Sequence, residues 1–161
     1  MTIQKKRLAV LLTHPVQYFK PFFEALAASQ EIELMVFFGS DHGLIPGLDP
    51  DFGIEFAWDN NPTDGFNHCF ISRDPLKNLS STARALQLAG FAYRKISAFK
   101  PDFVLIFAYS PIFITASTLL LAASGINLFL RADGTDRAFN RSTWKSWLKD
   151  LLLRPYYRLF K

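Results

Sequence analysis

Four charged side chains, Arg131, Asp133, Asp136 and Arg137, crowd into seven residues directly after the most apolar part of the chain. A carboxylate leaving a buried strand can orient a hydroxyl or assist proton transfer, and an arginine can clamp a phosphate through two parallel hydrogen bonds. The same residues also suit a solvated turn whose ion pairs contribute little. A second group, His14, Gln17 and Tyr18, follows a short apolar run and offers hydrogen-bonding groups for a polyhydroxylated ligand. The helix behind it could receive an anion at its N-terminus. The plainer alternative has His14 capping the strand and Tyr18 packing. Asp41 with His42, and Tyr109 with Ser110, occupy two further loops of the same kind.

Spacing excludes several chemistries. No G-x-G-x-x-G follows the first apolar run and no G-x-x-x-x-G-K-[ST] occurs, so neither a dinucleotide fingerprint nor a P-loop is supported. His14, His42 and His68 do not make a metal-binding spacing, and no Ser-His-Asp arrangement can be drawn. No metal site is expected, and nucleic acid is not an expected partner. Cys69 is the single cysteine, so an internal disulfide is impossible. It reads as a small buried hydrophobe in a reducing compartment.

The elements that must position these groups follow from the apolar pattern. Phe103 to Leu130 runs 28 residues without a charged side chain. A bilayer span needs about 20 apolar residues in one helix, and this stretch is interrupted by Tyr109-Ser110-Pro111 and by Gly125-Ile126-Asn127. Between those interruptions only Ile112 to Ser124 is helix-compatible. The segment therefore reads as strand, crossover helix and strand, with a span across Phe103 to Gly125 as the competing reading. Strands buried on both faces are near-continuous apolar runs in parallel sheets, which is the pattern here.

Upstream, Leu8 to Leu12 reads as a strand, Tyr18 to Ala28 as an amphipathic helix opening near Pro21, and Ile32 to Phe38 as a second strand. Gly39 to about Gly65 is rich in Gly, Pro, Asp and Asn, with a strand at Ile54 to Trp58, and loops of such length are usually functional or mobile. His68 to Ile71 reads as a short strand. Leu79 to Phe99 reads as a surface helix whose apolar positions are Leu79, Ala83, Leu86, Leu88, Ala89, Phe91, Ala92 and Ile96. The order β-α-β-loop-α-β-α-β-α predicts an α/β, Rossmann-like open parallel sheet with helices on both faces. Ligands of such sheets bind beyond the carboxyl ends of the strands, which is where all four polar loops fall.

With 161 residues, half of them hydrophobic, the chain suits a single folded domain over 1–161. The apolar run Leu8 to Leu12 is too short for a signal peptide, so no cleaved leader is expected. The net charge of +4 is uneven: six basic residues against one acidic fall between Arg141 and Lys161. There Trp144, Trp147, Leu148, Leu151, Leu152 and Tyr156 keep helical spacing, with Arg141, Lys145 and Lys149 on another face. Such a basic amphipathic helix suits an anionic membrane surface, or else packs on the sheet or on another domain.

Taken in order, His14-Pro-Val-Gln-Tyr-Phe19 with Pro21-Phe-Phe-Glu-Ala-Leu26, Phe37-Phe-Gly-Ser-Asp-His-Gly43, Asp49-Pro-Asp-Phe-Gly53 with Trp58-Asp59, Asp102-Phe-Val-Leu-Ile106 and Leu130-Arg-Ala-Asp133 resemble the N-terminal half of a family 4 (group 1) GT-B glycosyltransferase. The resemblance implies retaining transfer of a sugar from a nucleotide-sugar donor to a glycan or lipid-linked acceptor. It implies an acceptor-binding domain here and a separate C-terminal donor-binding domain carrying E-x7-E, a motif this chain lacks. It further implies no tightly bound cofactor, the nucleotide sugar being a substrate of the complete enzyme. By position it nominates Asp133 as the polar group facing the reaction centre, with Arg131 beside it. The family's glycine-rich first loop is replaced by His14-Pro15-Val16. A cytoplasmic protein, peripheral at the inner membrane face, would follow. The alternative is a non-catalytic glycan-binding or assembly module, or a truncated relic, pairing with a separate donor domain.

Overall fold

The computed structural model of the chain describes residues 4–44, 47–49, 54–56, 61–131 and 153–161, with 47–49 and 54–56 as backbone only. The elements run β1 (Lys6–Leu12), α1 (Lys20–Ala28), β2 (Ile32–Phe38), β3 (Gly47–Asp49), β4 (Ile54–Phe56), β5 (His68–Phe70), α2 (Thr82–Phe99), β6 (Phe103–Phe107), α3 (Ile112–Ala123) and β7 (Asn127–Arg131). Five strands form one all-parallel sheet in the order β5-β2-β1-β6-β7. The charge-free stretch is thus strand, helix and strand, and no described helix is long and apolar enough to cross a membrane.

Side chains alternate across a strand, so each strand feeds two cores. Ala9, Leu11, Phe37, Val104, Ile106 and Leu128 point into the layer formed by α2 and α3. Their neighbours Val10, Leu12, Val36, Phe38 and Phe107 point to the other face, where Phe19 and Phe23 of the α1 region cover them. Right-handed crossovers account for this division. The chain moves one way along the sheet from β1 through β2 to β5, then the other way as α2 carries it back across to β6 and α3 on to β7, which places α1 on one face and α2 and α3 on the opposite one.

The α2 positions correct the sequence reading in detail. Ala85, Leu88, Ala89, Ala92 and Ile96 make the buried stripe, whereas Leu86 is 53% and Phe91 39% exposed, and Ala83 is also exposed. Leu86 and Phe91 fall about 100° or more from the centre of that stripe, so helical geometry turns them outward. The helix starts at Thr82, after a 3-10 turn over Leu76–Leu79, and ends where Lys100 adopts a left-handed φ of 53° before Pro101. The strand at Ile54 is one arm of an antiparallel hairpin with Gly47–Asp49, the other arm lying in a stretch read as loop.

Helix α3 contains no charged residue, and its two buried hydroxyls are satisfied within the helix. Ser117 Oγ donates to the Phe113 carbonyl at 2.7 Å and Thr118 Oγ1 to that of Ile114 at 2.8 Å, so neither polar group is stranded. Residues 153–161 pack beside it: the Tyr156 hydroxyl donates to Thr118 Oγ1 at 3.1 Å, and the Lys161 amide donates to the Leu128 carbonyl at 2.9 Å. Phe160 pairs in parallel with Leu128, adding one bridge to the β7 edge. Residues 141–152, most of the basic helix read from the sequence, lie outside the described residues.

Candidate functional site: a cleft at the switch point of the sheet

Strand order reverses between β1 and β6, since β1 connects towards β2 and β6 towards β7. The carboxyl ends of these two strands diverge into different loops and leave a crevice. There a cavity of about 280 Å³ is lined by Thr13, His14, Val16, Tyr18, Phe19, Phe107, Ala108 and Arg131.

Backbone pairing carries the first two loops together past the strand ends. The Gly39 amide donates to the Leu12 carbonyl at 2.9 Å and the Ser40 amide to that of Thr13 at 2.8 Å. A Cβ on Gly39 would lie 2.7 Å from Phe113 Cε1 and 3.1 Å from the Thr13 carbonyl, so only glycine fits without displacement. Buried Ser40 then secures the turn: its hydroxyl donates to the Asp74 carbonyl at 2.5 Å and accepts the His42 amide at 3.2 Å. As a result the His14 and His42 rings meet edge to face, 5.7 Å apart. Asp41 faces Arg73 at 4.0 Å, a distant and largely solvated pair.

His14 is half-buried, with Nδ1 2.9 Å from the Thr13 hydroxyl. Burial, and after it the charge of His42, push its pKa down from 6.5 to about 4. At neutral pH the ring is therefore uncharged, with one nitrogen able to donate and the other to accept. A group this weakly basic is a poor proton abstractor and a good orienting partner for a hydroxyl.

Arg131, the last residue of β7, reaches the same cleft over aromatic rings. Its guanidinium carbon lies 4.9 Å from the Phe19 centroid, 5.2 Å from Phe107 and 5.7 Å from Phe22. Each cation–π contact at a partly exposed site contributes about 0.5–1 kcal/mol. Their combined effect is to hold the positive group at the rim. Ala108 closes β6 with φ of +70°, a strained conformation for a residue with a side chain, and its amide donates to the Arg131 carbonyl at 2.9 Å.

Of the residues nominated from the sequence, His14, Tyr18 and Arg131 line one cavity, and His42 joins them through the His14 ring. Tyr18 is 68% exposed with its ring 4.2 Å from that of Phe19, so it stands at the mouth rather than in the core. Gln17 belongs to the 3-10 turn Gln17–Phe19 and is not among the lining residues. Tyr109 and Ser110 turn away. They line a separate groove of about 370 Å³ with Pro111, Ile112, Leu86 and Leu119, because the loop after Ala108 crosses to the α2–α3 side. Asp133, Asp136 and Arg137 lie outside the described residues. Among the described residues no cluster of His, Cys, Asp or Glu could hold a metal ion.

Phe19 and Phe107 were missed as site residues. Phe19 carries helical apolar spacing and Phe107 ends an apolar strand, so both read as core. The usable signal was alternation: Phe107, Phe129 and Arg131 fall on one face of the sheet, Ile106 and Leu128 on the other. Cys69 is only half-buried, and Lys95 Nζ approaches its Sγ at 3.2 Å.

No protein-family model matches the chain, and no curated protein matches it either. Solved structures do share its fold. UDP-GlcNAc 2-epimerase from Neisseria meningitidis, bound to UDP-GlcNAc, aligns over 96% of this chain with a TM-score of 0.55 and 16% identity. Another UDP-N-acetylglucosamine 2-epimerase aligns over 92% with a TM-score of 0.50, also at 16% identity. The chain spans 38% and 40% of those two proteins. It is an α/β, Rossmann-like half-domain of the type found in these GT-B-like epimerases.

Proposed function

We propose that this chain is the N-terminal, acceptor-binding half of a retaining glycosyltransferase that moves a sugar from a nucleotide-sugar donor to a glycan or lipid-linked acceptor. The observation that carries the reading is the cleft at the sheet's switch point, where an uncharged His14 and a ring-supported Arg131 flank an aromatic wall. An aromatic surface with a few fixed hydrogen-bonding groups suits a sugar ring, whose faces are apolar and whose edges are hydroxyls. Support also comes from the fold partners, which cover the same half-domain within larger proteins, one of them holding a nucleotide sugar. A separate C-terminal domain would hold the donor's nucleotide. Asp133 would face the reaction centre from the loop after β7, with Arg131 orienting the acceptor and His14 fixing one of its hydroxyls.

The test is binding by the 161-residue chain itself. Applied to a glycan array, with positives confirmed by calorimetry, it should retain selected glycans and lose at least tenfold in affinity on His14→Ala or Arg131→Ala. UDP- and GDP-sugars should give no heat. Tight donor binding by the chain alone, or glycan binding indifferent to both substitutions, would overturn the reading. The described lining of the cleft, which holds binding groups but no carboxylate, also favours a second reading, a non-catalytic glycan-binding or assembly module. An in-frame donor domain with E-x7-E beyond Lys161 separates the two, since only the transferase requires it.

A further inference from the structure

The 3-10 turn Gln17–Phe19 runs without a break into α1, so Tyr18, Phe19, Phe22 and Phe23 form two pairs, each four residues apart on one helical path. One pair is core: Phe19 and Phe23 are buried against the sheet. The other lies one residue earlier in each turn, rotated by about 100°, and faces outward. Tyr18 is 68% and Phe22 38% exposed. The charges of this segment are drawn to its other side, where Lys20 Nζ donates to the Asn61 carbonyl at 3.0 Å and lies 3.9 Å from Glu24. What remains is an uncharged aromatic ridge.

The ridge is continuous with the switch-point cleft. Tyr18 is itself a lining residue, and the Phe22 ring lies 6.4 Å from that of Phe107 and 5.7 Å from the Arg131 guanidinium carbon, both part of the lining. At about 280 Å³ the cavity is at the small end of ligand sites, which run from about 300 to 1,000 Å³, so it encloses a single sugar ring and little more. Exposed apolar side chains that extend a cleft mark ligand contact. A pyranose turns C–H groups to its faces and hydroxyls to its edges, which matches aromatic rings with the Tyr18 hydroxyl at their margin.

We infer that the acceptor is an oligosaccharide rather than a single sugar, its terminal residue seated in the cleft and the following residues stacked on Tyr18 and Phe22. The inference rests on the acceptor reading above and gives that site its substrate class. Tyr18 and Phe22 are then the residues that measure acceptor length, while His14 and Arg131 meet the terminal sugar.

The experiment is an array carrying each sugar type as a matched mono-, di- and trisaccharide series, probed with the full chain, the affinities of retained series then being measured by calorimetry. Wild type should bind the trisaccharide about tenfold more tightly than the monosaccharide of the same series. Tyr18→Ala should cut that ratio to about twofold, and Phe22→Ala should lower it as well, with circular dichroism unchanged in both. Tyr18→Phe should restore the ratio, which a hydroxyl contact would not allow. Equal affinity for mono- and trisaccharide would overturn the inference and leave the acceptor reading standing, as would a length dependence that survives both alanine substitutions. Retention of no series by wild type would overturn the acceptor reading, and this inference with it.

Discussion

The two faces of the sheet are made from the same strands and differ in almost everything else. On the α1 side, packing is aromatic: Phe19, Phe23, Phe38, Phe66 and Phe107 fill the core, and at its carboxyl edge the rings support Arg131 beside His14. On the α2–α3 side, packing is mostly aliphatic, with Leu88, Ile96, Ile106, Ile114 and Leu121 fully buried and a leucine strip left outside. One residue step along a strand changes the destination, since Ile106 enters the aliphatic layer and Phe107 the aromatic one. The difference teaches that, among the described residues, His14 and Arg131 gather at one rim of the sheet, while the opposite helical layer leaves Leu86, Leu119 and Leu120 exposed.

Gly39 and Phe113 are where the two sides touch, and disturbing them should have the largest effect. Phe113 is fully buried, and Phe113→Ala should cost about 3–5 kcal/mol in urea unfolding through the cavity it leaves. Gly39→Ala, which drives a methyl into Phe113 and the Thr13 carbonyl, should cost about 1–3 kcal/mol. Combining Gly39→Ala with Phe113→Leu should recover part of that loss. Strictly additive losses would show that the two sides are not coupled at this point.

A smaller effect is tied to the cleft alone. The folded chain holds His14 with a pKa of about 4, below the ordinary 6.5 of the unfolded chain. Between these values the unfolded state binds more protons, so stability should fall as pH drops from 6.5 towards 4 and be unaffected by this group above 6.5. The size is on the order of 2 kcal/mol once partial solvent contact is allowed for. His14→Gln should flatten that part of the pH–stability curve, and an unchanged slope would remove burial as the cause of the shift.

Much of the architecture was legible because hydrophobic periodicity reports burial directly. The strands at Ile32–Phe38, apolar apart from Glu33, and Phe103–Phe107 and the helix from Ile112 were readable from largely apolar, nearly charge-free runs bounded by Gly, Pro and Asn. Gly39 was readable only as loop, because its meaning lies in the approach of Phe113, distant in the chain. Leu86 and Phe91 were read as core since their type suits it, although their angular position around α2 does not. Tyr109 and Ser110 were grouped with His14 because both follow strands. Adjacent strand ends can still send their loops to opposite faces, and these do.

The order of residues was enough to determine a parallel sheet, its covering helices and the set of loops at its carboxyl rim, because alternation and helical spacing are local properties of the chain. Which of those loops share a cleft was decided by the strand order β5-β2-β1-β6-β7, through pairings between segments far apart in sequence. That order brings His14 beside His42, lays Arg131 over Phe19 and Phe107, and turns the strip on α3 outward. The first two are contacts between residues that no local pattern connects.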